Sequence, residues 1–281
     1  MGKIAYIFFL LIASCSDTYQ EYKAETLPDE MNTVYLKDSL RYLSLTVAEK
    51  NVINATFEDQ TIATPIILNF PTQGIRVLII KDRTHFTQIV NIAPLYNATD
   101  IYKAHDLKLV QTNLFTFPVN AYFYKIYKGI RKELIRNLEK HYTIRINTLG
   151  SASTYGLMLG IELSALEIPL ESIVSFGPAR FTTQEAHDQI KQSFGNRLIN
   201  ITHEEDVAHK IYMGKSHAQN VTGEYLVCQN KTCEDSIYTL ENISHEKLAR
   251  HISNFPHSYA QMYHDSILYM EEDEHRRENG L

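Results

Sequence analysis

Apolar positions along the chain recur at helical spacing in some stretches and as short β-branched runs in others. Within Val34–Ala48, Leu36, Leu40, Leu43 and Val47 lie on one stripe, which predicts a surface helix. Within Val119–Lys140, Phe123, Ile126, Tyr127, Ile130, Leu134 and Leu138 form one apolar face. Lys125, Lys128, Arg131, Lys132 and Glu139 lie mostly opposite and read as a solvated face rather than a binding patch. Ile66–Phe70 and Ile75–Ile80 are separated by the turn residues Pro71-Thr72-Gln73-Gly74, so they predict a hairpin or two neighbouring strands. Further strands are expected at Thr143–Ile146, Ser172–Phe176 and Arg197–Thr202, with helical or polar stretches between them. Strands alternating with helices predict an α/β fold with a mostly parallel central sheet flanked by helices. Lys81–Pro118 shows no clear period and reads as a long loop, either a lid or a plain surface excursion.

The stretch Tyr142–Leu163 organises the rest. A short strand, a turn of small residues (Thr148–Ser153) and a helix (Thr154–Leu166) follow in direct succession. This is how an α/β-hydrolase presents its nucleophile, on a sharp Gly-x-Ser-x-Gly turn. Here the turn is Thr148-Leu149-Gly150-Ser151-Ala152, with glycine at its centre. Ala152, Gly156 and Gly160 fall on one stripe of the helix, which allows a close approach to the sheet.

Composition adds little about activity. A formal net charge of −6 gives no reason to expect a nucleic-acid partner. The start, MGKIAYIFFLLIASCS, has one Lys, a short apolar run and then small residues, the layout of a secretory signal peptide. The run is too short for a membrane-spanning helix, so no transmembrane segment is expected after cleavage. A bacterial lipoprotein signal has a similar layout. Asn54, Asn97, Asn200, Asn220, Asn230 and Asn242 each begin an Asn-x-Ser/Thr sequon, and as a group they fit a secreted eukaryotic glycoprotein. With the signal removed, Cys228 and Cys233 remain and suggest a local disulfide; two free thiols are the alternative. His203, His209 and His217 have loose spacing, so no metal site and no cofactor is predicted.

Several blocks, in order, resemble the fungal class 3 lipases, an α/β-hydrolase family. Ile75–Ile80 with Lys81-Asp82-Arg83-Thr84 is similar to the family's strand ending in Arg-Gly-Thr. Val119-Asn120-Ala121-Tyr122-Phe123 is similar to Val-His-x-Gly-Phe, and Ile146–Leu163 to the Gly-His-Ser-Leu-Gly-Gly elbow and its helix. Ser175-Phe176-Gly177-Pro178-Ala179-Arg180 resembles the Thr-x-Gly-x-Pro-Arg strand end. Arg197–Val207 resembles the strand and loop carrying the triad Asp, and Gly223–Val227 with the two cysteines resembles a late hairpin and disulfide.

The resemblance implies an ester-hydrolase fold acting on a lipid or ester small molecule, with Asp206 as triad Asp and His245 as triad His. Asp206 also reads as a solvated loop carboxylate, and His251 and His257 are fallbacks for His245. The oxyanion donors implied are the N–H of Ser151 and the loop after Ile80 at Thr84, where Asp82 replaces the family's Gly. Matching Gly160-Ile161-Glu162-Leu163 to the family's Ala-Leu-Asp-Leu places Gly150 at the nucleophile position. Ser151 and Ser153 are the neighbouring alternatives, although Ser153 in the first helical turn reads as a helix cap. Glycine has no atom with which to attack an ester. The sequence therefore predicts a secreted lipase-like protein with a degenerate elbow, against an active lipase using Ser151 or Ser153. The divisions expected are a signal peptide over 1–15, the lipase-like domain over 16–265 and a charged tail over 266–281.

Overall fold

The structure is a computed structural model that describes residues 33–57, 65–95, 108–179, 181–203 and 225–227. The elements in chain order are α1 (Thr33–Val47), α2 (Lys50–Phe57), β1 (Ile66–Phe70), β2 (Ile75–Asp82), β3 (Thr87–Pro94), β4 (Leu109–Val110) and β5 (Val119–Asn120). They continue with α3 (Ala121–Arg136), β6 (Thr143–Leu149), α4 (Ala152–Ala165), β7 (Leu170–Phe176), α5 (Gln184–Phe194), β8 (Leu198–His203) and β9 (Tyr225–Val227). A seven-stranded sheet runs in the order β1-β2-β3-β6-β7-β8-β9, and β4 and β5 form a separate pair. The first three strands are an antiparallel meander; β3, β6, β7, β8 and β9 are mutually parallel. This is the mostly parallel, helix-flanked α/β sheet that the alternation of elements predicts.

The long unpatterned segment is where the structure departs from the sequence reading. Lys81–Pro118 contains β3, an eight-residue strand buried along its whole length at the centre of the sheet. A strand covered on both faces shows no alternation of apolar and polar residues. Gln88 and Asn91 further break the apolar run, yet both are fully buried. Gln88 accepts from the Glu139 N–H at 2.7 Å through its side chain, and Asn91 donates to the Leu78 carbonyl at 3.1 Å. Asn147, directly opposite Asn91 in the β3–β6 register, donates its side-chain amide to Asn91 Oδ1 at 2.8 Å.

One face of the sheet carries α1 and α2. Leu36, Leu40 and Leu43 of α1 are buried, and Ile53 and Phe57 of α2 pack with Leu78, Ile80 and Ile89. Polar bonds fix α1 there. The Tyr35 hydroxyl lies 2.5 Å from Ser172 Oγ and donates to Glu171 at 3.2 Å, while the Arg145 guanidinium sits 3.8 Å from the centre of its ring. Arg145 also pairs with Glu171 at 2.7 Å. Arg76 donates to the Ala48 carbonyl at 2.9 Å just beyond the C-terminus of α1, where a cation complements the helix dipole.

The other face carries α3 and α4. Phe123, Ile126, Tyr127, Ile130 and Leu134 of α3 are buried, as the apolar stripe predicts. Asn120 caps this helix, its side-chain oxygen accepting from the N–H groups of Tyr122 at 2.9 Å and Phe123 at 3.3 Å. α4 is apolar nearly all round and packs directly on β6 and β7. A Cβ on Gly156 would overlap Thr148 Cγ2, and one on Gly160 would overlap Ile173 Cδ1, so both glycines are what lets this helix lie so close. A Glu162 carboxylate, bonded by Tyr127 and Arg131, ties α4 to α3. Among the described residues, no helix is long and apolar enough to cross a membrane.

Candidate functional site

β6 delivers its last residue, Leu149, to the C-terminal edge of the sheet, and α4 begins at Ala152. Only Gly150 and Ser151 lie between them. Gly150 has φ +58°, the left-handed backbone that side chains rarely adopt, and it is buried. Its N–H donates to the Phe176 carbonyl at the end of β7 at 2.7 Å; Gly177 in turn donates to the Ile201 carbonyl of β8, also at 2.7 Å. Successive parallel strands thus end in the same step, each turn hung on its neighbour. Strand, one positive-φ residue and immediate helix is the geometry of a nucleophile elbow, and glycine occupies its tip.

The flanking serines have other conformations and other work. Ser151 has φ −61° and ψ −18°, ordinary right-handed helical values, at the N-cap of α4. Ser153 is completely buried inside the first turn. It does not cap its own helix: its Oγ accepts from the Ala179 N–H at 2.9 Å, which pins the loop leaving β7 against α4. Sequence reasoning had no signal for this partner, which lies 26 residues away.

Thr84 is not near the elbow, which corrects its assignment as an oxyanion donor. Lys81–Thr84 belongs to the hairpin between the antiparallel strands β2 and β3, at the end of the sheet where β6 begins. The next residues make this explicit, since the Phe86 carbonyl accepts from the Thr143 N–H at 2.9 Å. The length of β6, about 20 Å at about 3.3 Å per residue, therefore separates Thr84 from Gly150. The Thr84 N–H is also spent, donating to Asp82 Oδ1 at 2.8 Å within the turn. Burial pushes the Asp82 carboxyl up, but bonds from the His85 ring and from the His85 and Thr84 N–H groups outweigh it and hold the carboxyl below its ordinary range.

The strand end that does adjoin the elbow is that of β3, where Ile92 lies opposite Thr148. The chain there reads Ala93-Pro94-Leu95. Pro94 has no N–H, and the Leu95 N–H donates to the Gly74 carbonyl at 2.6 Å. The local signal for this strand is the β-branched run Ile89-Val90-x-Ile92.

Asn200 also needs correction as a glycan acceptor. It sits in β8, is 6% exposed and leaves its side-chain oxygen without a hydrogen-bond partner, so a glycan has no path from it. Asn54 is exposed on α2. Asp206, His245, Cys228, Cys233, Asn97, Asn220, Asn230 and Asn242 lie outside the described residues, as do the signal segment and the charged tail. Among the described residues, no group of three or more His, Cys, Asp or Glu side chains is placed to hold a metal ion.

By sequence, no protein-family model and no curated protein matches the chain. Solved structures do match by shape. The Lip2 lipase of Yarrowia lipolytica superposes with a TM-score of 0.53 at 13% identity, over 68% of this chain and 77% of that one. The mono- and diacylglycerol lipase of Aspergillus oryzae gives 0.49 at 16% identity, over 63% of this chain and 73% of that one. Lipase II of Rhizopus niveus gives 0.47 at 15% identity, over 63% and 71%. The Yarrowia match establishes the fold: this chain has the α/β-hydrolase-like fold of fungal lipases.

Proposed function

We propose that this protein is a secreted, lipase-fold binding protein that does not hydrolyse esters, and that it engages a lipid, an ester-like small molecule or a partner at the elbow end of the sheet. The observation that carries this reading is the positive-φ tip of the elbow at Gly150. In a Ser–His–Asp hydrolase that residue attacks the ester carbonyl, with His taking its proton and Asp orienting the imidazole. Here Asp206 and His245 are assigned as the remaining pair, and they have no hydroxyl to activate at position 150. Without a nucleophile, only the weak help of oxyanion donors and substrate binding remains. The β3 strand end supports the same reading, because Pro94 lacks an N–H and that of Leu95 is taken. Thr148, at the position of the family's first elbow Gly, is a further departure.

A fluorophosphonate probe tests the reading. The purified full chain should remain unlabelled while it co-sediments with a triolein emulsion. Labelling that vanishes in Ser151→Ala or Ser153→Ala would overturn it and establish an active esterase with an atypical serine. Gly150→Ser is the informative reverse change: labelling gained there, and lost again in Gly150→Ser/His245→Ala, would place His245 beside the elbow.

A further inference from the structure

The sheet face that carries α2 holds a cleft unrelated to the elbow. It has a volume of about 400 Å³ and lies between α2 and the edge strand β1. That volume falls in the range of small-molecule clefts, about 300–1,000 Å³. Its polar lining is Lys50, Asn54, Asn69 and Arg76, its apolar lining includes Pro65 and Ile67, and none of its described lining residues is acidic.

Arg76 is preorganised. Its Nε donates to Asn69 Oδ1 at 2.7 Å, and one terminal nitrogen donates to the Ala48 carbonyl at 2.9 Å. Its second terminal nitrogen has no acceptor among the described residues, so two N–H donors of a fixed fork are unspent. Lys50 opens α2 and lines the same cleft, also without an ion partner among the described residues. The first turn of α2 adds the positive end of a helix dipole. The part-exposed Ile67 and Pro65 form an apolar wall beside these cations. A guanidinium with free donors recognises a carboxylate, while a wall of aliphatic side chains rewards a tail that phosphate does not have.

We propose that this cleft binds a short-chain monocarboxylate, its head group between Arg76 and Lys50 and its alkyl chain along Ile67 and Pro65. The site lies on the α1–α2 face, whereas α4 and the elbow helix packing lie on the other, so the proposal is independent of what the elbow binds.

The test is calorimetric titration of the full chain with octanoate, in a Thr56→Ala background that removes the Asn54 sequon. Lys50→Glu reverses a charge at an exposed helix start and should weaken octanoate at least tenfold. Asn54→Phe, on an exposed helical position, should plug the cleft and abolish the binding heat. Melting temperatures that match the parent show that both variants are folded. Octanol and inorganic phosphate should each bind at least tenfold more weakly than octanoate. Octanoate binding that both folded variants leave unchanged would place the fatty acid elsewhere and overturn the proposal without touching the elbow reading. Octanol binding as tightly as octanoate would overturn it in favour of an apolar cleft, and phosphate binding as tightly would overturn it in favour of a simple anion site.

Discussion

The two faces of the central sheet hold their helices by different means. On one face, α4 is fixed by shape: Gly156 sits on Thr148 and Gly160 on Ile173 with no room for a methyl group. On the other, α1 is fixed by directed bonds among Tyr35, Ser172, Glu171 and Arg145. The elbow belongs to the first kind. Its helix meets the sheet by close contact, with Glu162 and Ser153 bonding it to α3 and to the loop after β7, and none of these contacts uses a side chain at residue 150. The turn at Gly150 is thus placed independently of any side chain at its tip.

The comparison can be broken most severely at Gly156. Gly156→Ala gains up to about 1 kcal/mol of helix propensity but drives a methyl into Thr148, whose hydroxyl is locked on Ser175 at 2.9 Å and which therefore cannot turn away. Overpacking of this kind costs about 1–3 kcal/mol, so the net loss should be about 1–2 kcal/mol by urea denaturation. Thr148→Ser in the same chain removes the offending methyl and should recover most of it. A neutral Gly156→Ala would show that the α4 face is not held by fit.

On the bonded face, Tyr35→Phe deletes one hydroxyl and leaves the buried Ser172 without it, for a loss of about 1–2 kcal/mol. An unchanged unfolding midpoint would reduce that clip to ordinary packing. At the elbow itself, Gly150→Ala should cost about 1 kcal/mol from its positive φ, and no more if the tip has no other strain.

His187 of α5 sharpens the contrast, since α5 packs through Ile190 and Phe194 into the shape-fitted core. Burial, opposed by nearby Asp188 and reinforced by Lys191, holds its imidazole below the ordinary pKa of 6.5. Between the folded value and that of the unfolded chain, only the unfolded chain takes up the proton. The associated stability is present above about pH 6.5 and declines as pH falls through the folded value. His187→Leu should flatten the denaturation midpoint between pH 7.5 and 5, and an unchanged slope would assign the pH dependence to other histidines. The smallest effect is expected at the half-buried Lys81–Glu139 pair near the sheet's end, where Lys81→Met should change stability by less than about 1 kcal/mol.

Local periodicity made much of this fold readable. The α3 stripe from Phe123 to Leu134 and the glycine stripe of α4 both follow from a helix placing every third or fourth residue on one side. The small-residue run before α4 marks a turn, and Gly150 within it has the positive φ such a turn needs. Long-range facts were not readable. Ser153 looks like a cap until Ala179 is brought to it. Asn200 satisfies a three-residue sequon, and nothing in three residues reports that a strand is interior. β3 is hard to read locally because Gln88 and Asn91 look solvent-facing when their partners, Glu139 and Leu78, are distant in sequence or in another strand.

The paired amides of Asn91 and Asn147 have a consequence for how the chain finds its sheet. They lie where the antiparallel meander meets the parallel half, between strands joined by a long connection and not by a tight turn. No hairpin there counts residues for the folding chain. Sliding β6 by one position against β3 would exchange amide for aliphatic neighbours and bury polar groups without partners, at about 1–3 kcal/mol for each group. The Asn pair therefore acts as an alignment mark for the search, penalising near-miss pairings more than it steadies the correct one.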